Sequence, residues 1–275
     1  MARTRTVLAL ACTGVAVLVA VGLAAGVLER SIVPEEPGDW LAAGPAATVC
    51  IRPGQRLQYT VGLQGAPLGE VTVTGGSPAN GGRSPVVNYR LRTLPALHWA
   101  WEFEATGTTV LDPETLLPFR VETTTRDKDG TTVTTSLFRP KAGEVWIAEQ
   151  EPDEDEPDED LVTAERAADP VAALLLLGAA EAGGQLTVLK GDDAYRVRAE
   201  PGDLETLKLP AGEFAARRWT VTVREWDEDE GPAPSEHVLR VWMDAATGVP
   251  LQLEADLLVG RLAARLVSLS ESDEG

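Results

Sequence analysis

The residues that could carry out hydrolytic chemistry are few and are not arranged for it. A serine hydrolase of the common type needs a Gly-x-Ser-x-Gly turn and an available histidine. The 275-residue chain has no such turn and has two histidines, His98 and His237. His98 directly precedes Trp99, and His237 alternates with apolar Leu239. Both are expected to be ordinary strand residues, so the sequence predicts no catalytic histidine.

Motifs for metals and phosphates are also missing from the sequence. Zinc sites draw three or four ligands from His, Cys and carboxylates, and neither His-Glu-x-x-His nor Cys-x-x-Cys occurs. The glycine pairs at 75–76 and 81–82 bracket a turn and lack the Lys-Ser/Thr of a phosphate-binding loop. We therefore expect no metal site and no cofactor.

A repeated motif supplies one candidate set of paired carboxylates. Residues 111–122 and 243–254 share an Asp, a Thr three positions later, a Pro six later and a Glu ten later. One interpretation pairs Asp112 with Asp244, or Glu122 with Glu254, as catalytic acid and base. The other is a repeated turn, in which Asp accepts backbone N–H groups and Pro opens the next strand. The turn is favoured because it explains the whole motif, so no catalytic residue is assigned.

Acidic residues are concentrated in three segments of the chain. The net charge is −19, from 43 acidic and 24 basic residues. Residues 149–160, 227–230 and 271–274 hold nine, four and three of the acids, which leaves 27 acids against 24 bases elsewhere. This distribution argues against a nucleic-acid partner. Residues 149–160 lack the central Gly of an EF-hand, so we expect an acidic loop insertion at 149–168, with weak cation association as the alternative, and an acidic tail at 271–275.

The N-terminus predicts export. Arg3 and Arg5 precede an uncharged segment, residues 6–28, which as a helix would reach about 34 Å, enough to cross a ~30 Å hydrocarbon core. The arginines would stay in the cytoplasm and the body would lie outside it. For residues 1–28 an inner-membrane anchor through 6–28, a signal peptide cleaved near Ala24 and a buried core helix stay open. The first two place the protein in the periplasm or another extracytoplasmic space, anchored or secreted.

A linker and a single cysteine lie between this segment and the folded body. Residues 29–53 are rich in Pro, Gly, Glu and Ala, a composition that suits a tether. Cys12 falls within the apolar segment and Cys50 at the end of the linker. One thiol cannot cross-link a domain, so Cys50 is expected to be unpaired and partly buried, with an intermolecular disulfide as the alternative.

Alternating apolar residues predict an antiparallel sheet from Leu57 onward. About a dozen short segments alternate in this way and are separated by Gly, Pro, Asn and Asp, which indicates a sheet with one solvated face. Trp99, Trp101 and Phe103 are predicted to share one strand face, either packed in the core or lining an apolar groove. The other alternating sets are Leu57, Tyr59, Val61 and Leu63; Val87, Tyr89 and Leu91; Phe119 and Val121; Tyr195 and Val197; Trp219, Val221 and Val223; His237, Leu239, Val241 and Met243; and Leu251, Leu253 and Ala255.

One segment follows a helical pattern instead. Asp169 and Pro170 suit the N-cap and the first helical position, a Leu- and Ala-rich body continues to Ala180, and the glycines at 183–184 end it. The segment is apolar on nearly every side and must therefore be enclosed. We predict a mainly β fold in which a curled antiparallel sheet, a half-barrel or open barrel, wraps around this short apolar helix.

Five motifs lie in order at residues 54–61 with 66–73, 112–118, 169–174, 209–214, and 241–244 and 249–250 with 259–266. Together they resemble the bacterial envelope family DUF3108, a domain of unknown function. The resemblance runs from about Gly54 to Leu269 and indicates a β domain at 54–270. It implies an exported, β-rich protein with no established enzymatic activity, and the predicted architecture is also similar to the half-barrel lipoprotein carriers of the periplasm.

These observations lead to a functional expectation rather than a reaction. We expect a non-enzymatic binding or assembly module of the cell envelope that holds a lipid or a partner protein on its concave face. A hydrolase acting on cell-wall or lipid substrates and a structural spacer are the alternatives.

Overall fold

The computed structural model describes residues 39–44, 49–79, 81–152, 154, 156–191, 193–227, 231–232 and 236–271. The predicted anchor or signal peptide (1–28), Cys12, most of the predicted linker and residues 272–275 of the tail lie outside the described residues. Within the described ranges, no helix combines the length and the hydropathy that crossing a bilayer requires.

The described residues form one sheet of sixteen strands, with a 3-10 turn at Pro95–Leu97 and one α-helix, α1, at Pro170–Ala179. The strands are β1 Gln55–Leu63, β2 Ala66–Gly75, β3 Val86–Thr93, β4 Phe103–Leu111, β5 Pro118–Asp127, β6 Thr131–Arg139, β7 Glu144–Gln150, β8 Asp158–Thr163, β9 Ala167–Ala168, β10 Gly184–Lys190, β11 Asp193–Leu209, β12 Gly212–Asp227, β13 Gly231–Pro232, β14 His237–Asp244, β15 Pro250–Leu257 and β16 Gly260–Glu271.

The sheet is a long antiparallel meander that does not close. Its order is β8-β7-β6-β5-β4-β3-β2-β1-β16-β15-β14-β12-β11-β10-β9, with β13 paired to β12. β1 pairs with β16 and so joins the two halves of the chain, whereas β9 and β10 form a short parallel pair. The path ends at β8 and β9, so the predicted mainly β fold with an open sheet is confirmed.

Helix α1 lies inside the curl of this sheet. All of its residues from Pro170 to Leu177 are buried, as an apolar helix with no polar face requires. It contacts β4, β15 and the neighbouring strands β9 and β10, three places that are widely separated in the strand order. The predicted enclosure of the helix is therefore confirmed.

The helix ends earlier than the sequence predicts. Ala180 is already extended and forms a bridge with Ala43, so the glycines at 183–184 play no part in ending the helix. Near its end, Gly178 packs against Gly248 of the β14–β15 turn. A Cβ atom on Gly178 would lie 2.1 Å from the Gly248 carbonyl oxygen, and one on Gly248 would lie 2.3 Å from that of Gly178. The contact requires glycine on both sides.

A second, smaller core forms near the edges of the sheet. It combines residues of β5–β8 with residues of β9–β12 and the β8–β9 turn. The two edges of the sheet therefore share apolar contacts although β8 and β9 do not pair. Its members are Val121, Phe138, Val145, Ile147, Val162, Ala164, Ala167, Leu189 and Ala194, with Trp226 packed against them.

Antiparallel order separates the turns into two ends of the sheet. The turns after β1, β3, β5, β7, β10 and β15 lie at one end, which we call the acidic end because the acidic residues around β7 and β8 lie there. The turns after β2, β4, β6, β8, β11 and β14 lie at the other end. Residues 49–53, which we call the strap, enter at that second end, where Pro53 forms a bridge with Gly75. We call it the strap end.

The prediction that residues 29–53 form a linker is wrong in part. Residues 29–53 were expected to be a tether, but Leu41, Cys50 and Ile51 are 2%, 9% and 4% exposed and belong to the main core. The Leu41 N–H donates to the Gln185 carbonyl at 2.8 Å, and this bond fixes the chain at Leu41 beside β10. The Cys50 thiol is unpaired, as predicted, and is fully rather than partly buried. Burial of these three apolar side chains holds the segment against the core, despite the Pro- and Gly-rich composition around them.

The acidic insertion predicted at 149–168 is partly strand. β7 continues to Gln150, β8 begins at Asp158 and β9 lies at Ala167–Ala168. β8 is an edge strand in which Asp158 and Glu159 are exposed while Val162 is buried. Charged side chains on such an edge stay hydrated, so they do not prevent the strand from forming.

The predicted strand through Trp99, Trp101 and Phe103 is also wrong in part. Pro95 begins a 3-10 turn, and β4 starts only at Phe103. Trp99 is 86% exposed, whereas the Trp101 ring stacks on the Phe103 ring at 5.7 Å between centroids. Trp99 is therefore neither part of the core nor on a strand.

Candidate ligand cavity beside the helix

A small apolar cavity remains between α1 and the strands around β1. Its volume is about 40 Å³, which exceeds the roughly 10–15 Å³ that a cavity needs to hold one water molecule. The helix, the strap and strands β1, β2, β14, β15 and β16 all contribute to its wall. The lining residues are Ile51, Tyr59, Val71, Val73, Val171, Leu174, Leu175, Val241, Pro250, Gln252, Leu253 and Ala264.

The two polar side chains in this wall are already hydrogen-bonded within the protein. The Tyr59 hydroxyl donates to the Pro250 carbonyl at 2.7 Å, and Gln252 Nε2 donates to Glu254 Oε1 at 2.9 Å. Burial, and to a lesser degree the neighbouring Cys50, raises the pKa of the Tyr59 phenol, so the hydroxyl stays protonated. The cavity therefore suits an apolar group rather than a polar ligand.

Burial also suppresses the chemistry of Cys50. The pKa of its thiol is raised to about 12, mainly by burial, with a backbone hydrogen bond opposing the rise. The thiolate is the nucleophilic form of cysteine, so this thiol is unreactive while the strap stays packed.

The repeated Asp turns have the local role that the favoured interpretation predicts. Asp112 Oδ1 accepts the N–H groups two and three positions later at 2.9 and 2.8 Å, and the Thr115 hydroxyl at 3.0 Å. Asp244 Oδ1 accepts the equivalent three bonds at 2.9, 2.8 and 3.0 Å. The residue four places after each Asp is left-handed, with φ of 58° at Leu116 and 72° at Gly248. The repetition is a turn motif, and that prediction is confirmed.

The two glutamates of the repeat lie in unlike surroundings. Glu122 on β5 is exposed and pairs with Arg120. Glu254 on β15 is 7% exposed, and its carboxylate lies 3.5 Å from Arg261 and 3.6 Å from Arg265. In the sheet order β5 and β15 are separated by β4, β3, β2, β1 and β16. Such separation does not suit a catalytic pair.

The two histidines take separate positions. His237 begins β14 opposite Val223 and is exposed, as predicted for a strand residue. His98 lies in the turn before β4 instead of on a strand, and its Nε2 is 3.2 Å from the Thr93 carbonyl oxygen. Among the residues that the structure describes, no group of three or more His, Cys, Asp or Glu side chains could hold a metal ion.

Asp169 is a titratable group whose depth the sequence does not reveal. The sequence predicts it as the N-cap of α1, and its carboxylate accepts Val171 N–H at 3.1 Å and Ala172 N–H at 3.2 Å. The Thr109 hydroxyl donates to it at 3.1 Å from β4. Burial raises its pKa to about 6, and these hydrogen bonds oppose the rise. This carboxylate is part of the core rather than of the surface.

A tyrosine on β3 also reaches across the sheet. The ring of Tyr89 covers Gly107 on β4, where an added Cβ would lie 2.4 Å from a ring carbon, and its hydroxyl is 3.0 Å from the Thr123 hydroxyl on β5. Burial raises its pKa to about 12. The Tyr89 side chain therefore contacts three strands, and its hydroxyl, which stays protonated, is not available as a base.

Sequence reasoning missed Ile51, the lining residue contributed by the strap. It falls inside the segment interpreted as linker. The signal that could have placed it in the core is a run of three apolar residues, Val49, Cys50 and Ile51, which ends three residues before β1.

Comparison with known proteins gives a family and a fold. The profile of the family described as "Protein of unknown function (DUF3108)" matches residues 58–267. No curated protein matches the sequence significantly.

Three solved structures show the range of structural similarity. The β-barrel-like protein of domain of unknown function DUF1849 from Brucella abortus has a TM-score of 0.55 at 13% identity, over 81% of this chain and 100% of that chain. A putative exported protein with a YmcC-like fold from Bacteroides fragilis scores 0.36 at 12% identity, over 82% and 100%. The hypothetical lipoprotein YmcC from Escherichia coli scores 0.31 at 10%, over 80% and 88%. The first similarity supports a β-barrel-like fold for this chain.

Proposed function

The chain belongs to the DUF3108 family, and from that premise we propose that it is a non-catalytic binding protein of the bacterial cell envelope. Its ligand would be an apolar chain that enters the cavity beside α1. The N-terminal segment 6–28 supports an extracytoplasmic location, either anchored in the inner membrane or released after cleavage.

The observation that carries this proposal is the composition of the cavity wall. Both polar side chains of the wall have partners inside the protein, and its other lining residues are apolar. A ligand in this space can therefore gain free energy only by burying apolar surface. Hydrocarbon chains meet that requirement.

The size of the cavity sets a condition on binding. About 40 Å³ is less than the roughly 150 Å³ of an engineered apolar cavity that holds benzene. A hydrocarbon chain must therefore displace a wall residue, and Ile51 belongs to the shortest segment of the wall. The protein would be closed without its ligand and would open at the strap.

The non-catalytic part of the proposal is supported by the repeated Asp turns. Each of the two aspartates uses one oxygen for three local hydrogen bonds, which accounts for the motif without a reaction. The absence of catalysis stays a prediction.

Photo-crosslinking with a fatty acid that carries a diazirine at its chain end tests the proposal on the full chain. Crosslinks are expected in peptides that contain Ile51, Val73 and Leu174, because these residues line the cavity. Leu174→Trp fills the space and should lower the crosslink yield at least tenfold. Leu204→Trp makes the same change at a residue that is 60% exposed and should leave the yield unchanged.

Mass spectrometry of the crosslinked peptides separates this outcome from binding by the N-terminal segment. Crosslinks confined to residues 1–28, or an equal yield from folded Leu174→Trp and from wild type, would refute the cavity as the binding site. Circular dichroism establishes that both variants are folded.

A further inference from the structure

A second concave space lies at the strap end, next to the cavity. It is an open groove of about 240 Å³ between the strap and the β2–β3 connection. Ile51 lines both spaces, so the groove and the cavity meet at this residue. The lining residues of the groove are Val49, Ile51, Arg52, Pro53, Gly76, Pro78, Gly82, Arg83, Pro85 and Val86.

The charge of this groove is opposite to that of the chain. Two of its ten lining residues are arginine and none is acidic, in a protein whose net charge is −19. Arg52 and Arg83 are both exposed, and none of the ion pairs found within the described residues includes either of them. Elsewhere arginines do pair with carboxylates, as Arg240 does with Asp256 at 2.9 Å.

The backbone on both sides of the groove is held by hydrogen bonds. On the strap side, Gly54 N–H donates to the Gly75 carbonyl at 2.9 Å. A Cβ on Gly75 would lie 1.9 Å from the Arg52 carbonyl oxygen, so the strap crosses β2 at a position that only glycine allows. On the other side, Gly76 N–H donates to the Val86 carbonyl at 2.8 Å. The groove is therefore part of the fold.

We propose that the groove and the cavity form one binding site for a single-chain anionic amphiphile. This inference rests on the proposed function, because it takes the cavity as the place of the hydrocarbon chain. The carboxylate or phosphate headgroup would lie in the groove at Arg52 and Arg83, whose guanidinium groups suit both anions. The hydrocarbon chain of the ligand would run past the displaced Ile51 side chain and enter the cavity.

The two parts of the site have complementary chemistry. The cavity offers apolar surface and no polar partner, and the groove offers cations in an otherwise acidic protein. A ligand with both an anionic group and a hydrocarbon chain uses both parts, whereas a neutral amphiphile uses only the cavity and a small anion only the groove.

Titration calorimetry on the full chain, below the critical micelle concentrations, tests this site with four probes: dodecyl phosphate, dodecanoate, dodecyl maltoside and inorganic phosphate. We expect dodecyl phosphate or dodecanoate to bind at least tenfold more tightly than dodecyl maltoside, and inorganic phosphate to bind more weakly than either anionic amphiphile. The tighter of the two anionic amphiphiles identifies the headgroup class.

Replacing both arginines with glutamine tests the headgroup contact. Arg52→Gln with Arg83→Gln should weaken binding of the anionic amphiphiles at least tenfold and leave dodecyl maltoside within twofold of wild type. Arg126→Gln with Lys128→Gln, at two exposed cations of the acidic end, removes the same number of charges and should leave all four affinities unchanged.

The results distinguish failure of this inference from failure of the proposed function. If the chain of dodecyl maltoside binds in the cavity but the double variant binds dodecyl phosphate as wild type does, the headgroup site is refuted and the apolar cavity stands. Equal affinity for inorganic phosphate and dodecyl phosphate would refute the coupling of the two spaces. If no amphiphile binds the full chain outside residues 1–28, both proposals fail.

Discussion

The two ends of the curled sheet are built from the same antiparallel turns but differ in what covers them. At the strap end, residues 49–53 cross the sheet and bury Cys50 and Ile51 against the core. At the acidic end, the described turns leave apolar side chains in solvent, with Leu258 fully exposed and Trp99 86% exposed. The interior is thus sealed on one side by a segment from outside the sheet. The comparison teaches that Cys50 and Ile51 complete the core at the strap end, whereas the β3–β4 and β15–β16 turns at the acidic end present apolar side chains to solvent.

Carboxylates show the same difference between interior and acidic end. Asp169 beside the helix has its pKa raised to about 6 by burial. Nine acidic residues around β7 and β8 lie close together in sequence, and Asp158 and Glu159 among them are exposed. Water solvates those charges, so the fold tolerates many acids at the surface, whereas the buried Asp169 needs the hydrogen bonds of a helix cap.

The largest expected effect comes from placing a carboxylate in the interior, with the same substitution at the acidic end as its control. Leu175→Asp buries a carboxylate in the enclosed helix at a residue that is 2% exposed, which costs several kcal/mol against a total stability of about 5–15 kcal/mol. The variant should be unfolded. Leu258→Asp, the same change at the acidic end, should alter the free energy of unfolding by less than about 0.5 kcal/mol. Chemical denaturation measures both, and a folded Leu175→Asp protein would contradict the enclosure of α1.

The free energy of unfolding should depend on pH because Asp169 is buried. Because the pKa of Asp169 is raised from 3.8 to about 6 in the folded state, its contribution is fully present below about pH 4 and is lost as the pH rises through 6. The loss is on the order of 3 kcal/mol. Asp169→Asn removes this titration, so the difference in unfolding free energy between wild type and variant should change with pH in that window.

A second variant at the same position separates titration from helix capping. Asp169→Ser keeps an N-cap acceptor and should show the same pH-dependent difference from wild type as Asp169→Asn. A constant difference between pH 4 and pH 7 for both variants would show that Asp169 does not hold a proton in the folded protein.

The smallest effects should come from the Asp turns, because their hydrogen bonds are local at both ends of the sheet. Asp112→Ala and Asp244→Ala at the strap end should each lower the free energy of unfolding by about 1–2 kcal/mol through lost hydrogen bonds. Asp127→Ala at the acidic end should cost less, because Asp127 Oδ1 accepts two N–H groups, at 2.8 and 3.2 Å. Thermal melts rank the three variants.

Asparagine at the same positions provides the matched control for these turns. Its side-chain oxygen can still accept the N–H groups, so Asp112→Asn and Asp244→Asn should cost less than alanine. A melting temperature that is unchanged in Asp244→Ala would show that the turn does not depend on its aspartate.

Local patterns were sufficient to predict much of this architecture. Asp169 and Pro170 predicted the start of α1, and its lack of a polar face predicted its enclosure, since an apolar helix cannot stay in water. The repeat at 111–122 and 243–254 predicted two equivalent turns, because its residues bond to their own backbone. These predictions succeed because each depends on neighbours within a few positions.

Other features depend on contacts that the local pattern does not contain. Trp99 fits a strand by alternation, but the 3-10 turn that begins at Pro95 removes it from the sheet. Ile51 and Cys50 lie in a Pro- and Gly-rich segment and are buried because the interior at the strap end has room for them. The candidate cavity could not be predicted, since its wall combines residues from five strands, the helix and the strap.

The amino-acid sequence by itself determined the strands, the enclosed helix, the Asp turns and the segregation of acidic residues, because alternation, capping and local hydrogen bonding act over short distances. Only the tertiary structure decided which end of the sheet is sealed, how deep Asp169 lies, and that Arg52 and Arg83 line one groove beside an apolar cavity. These properties arise where residues far apart in the chain meet, and their burial and charge are set by the neighbours they meet there.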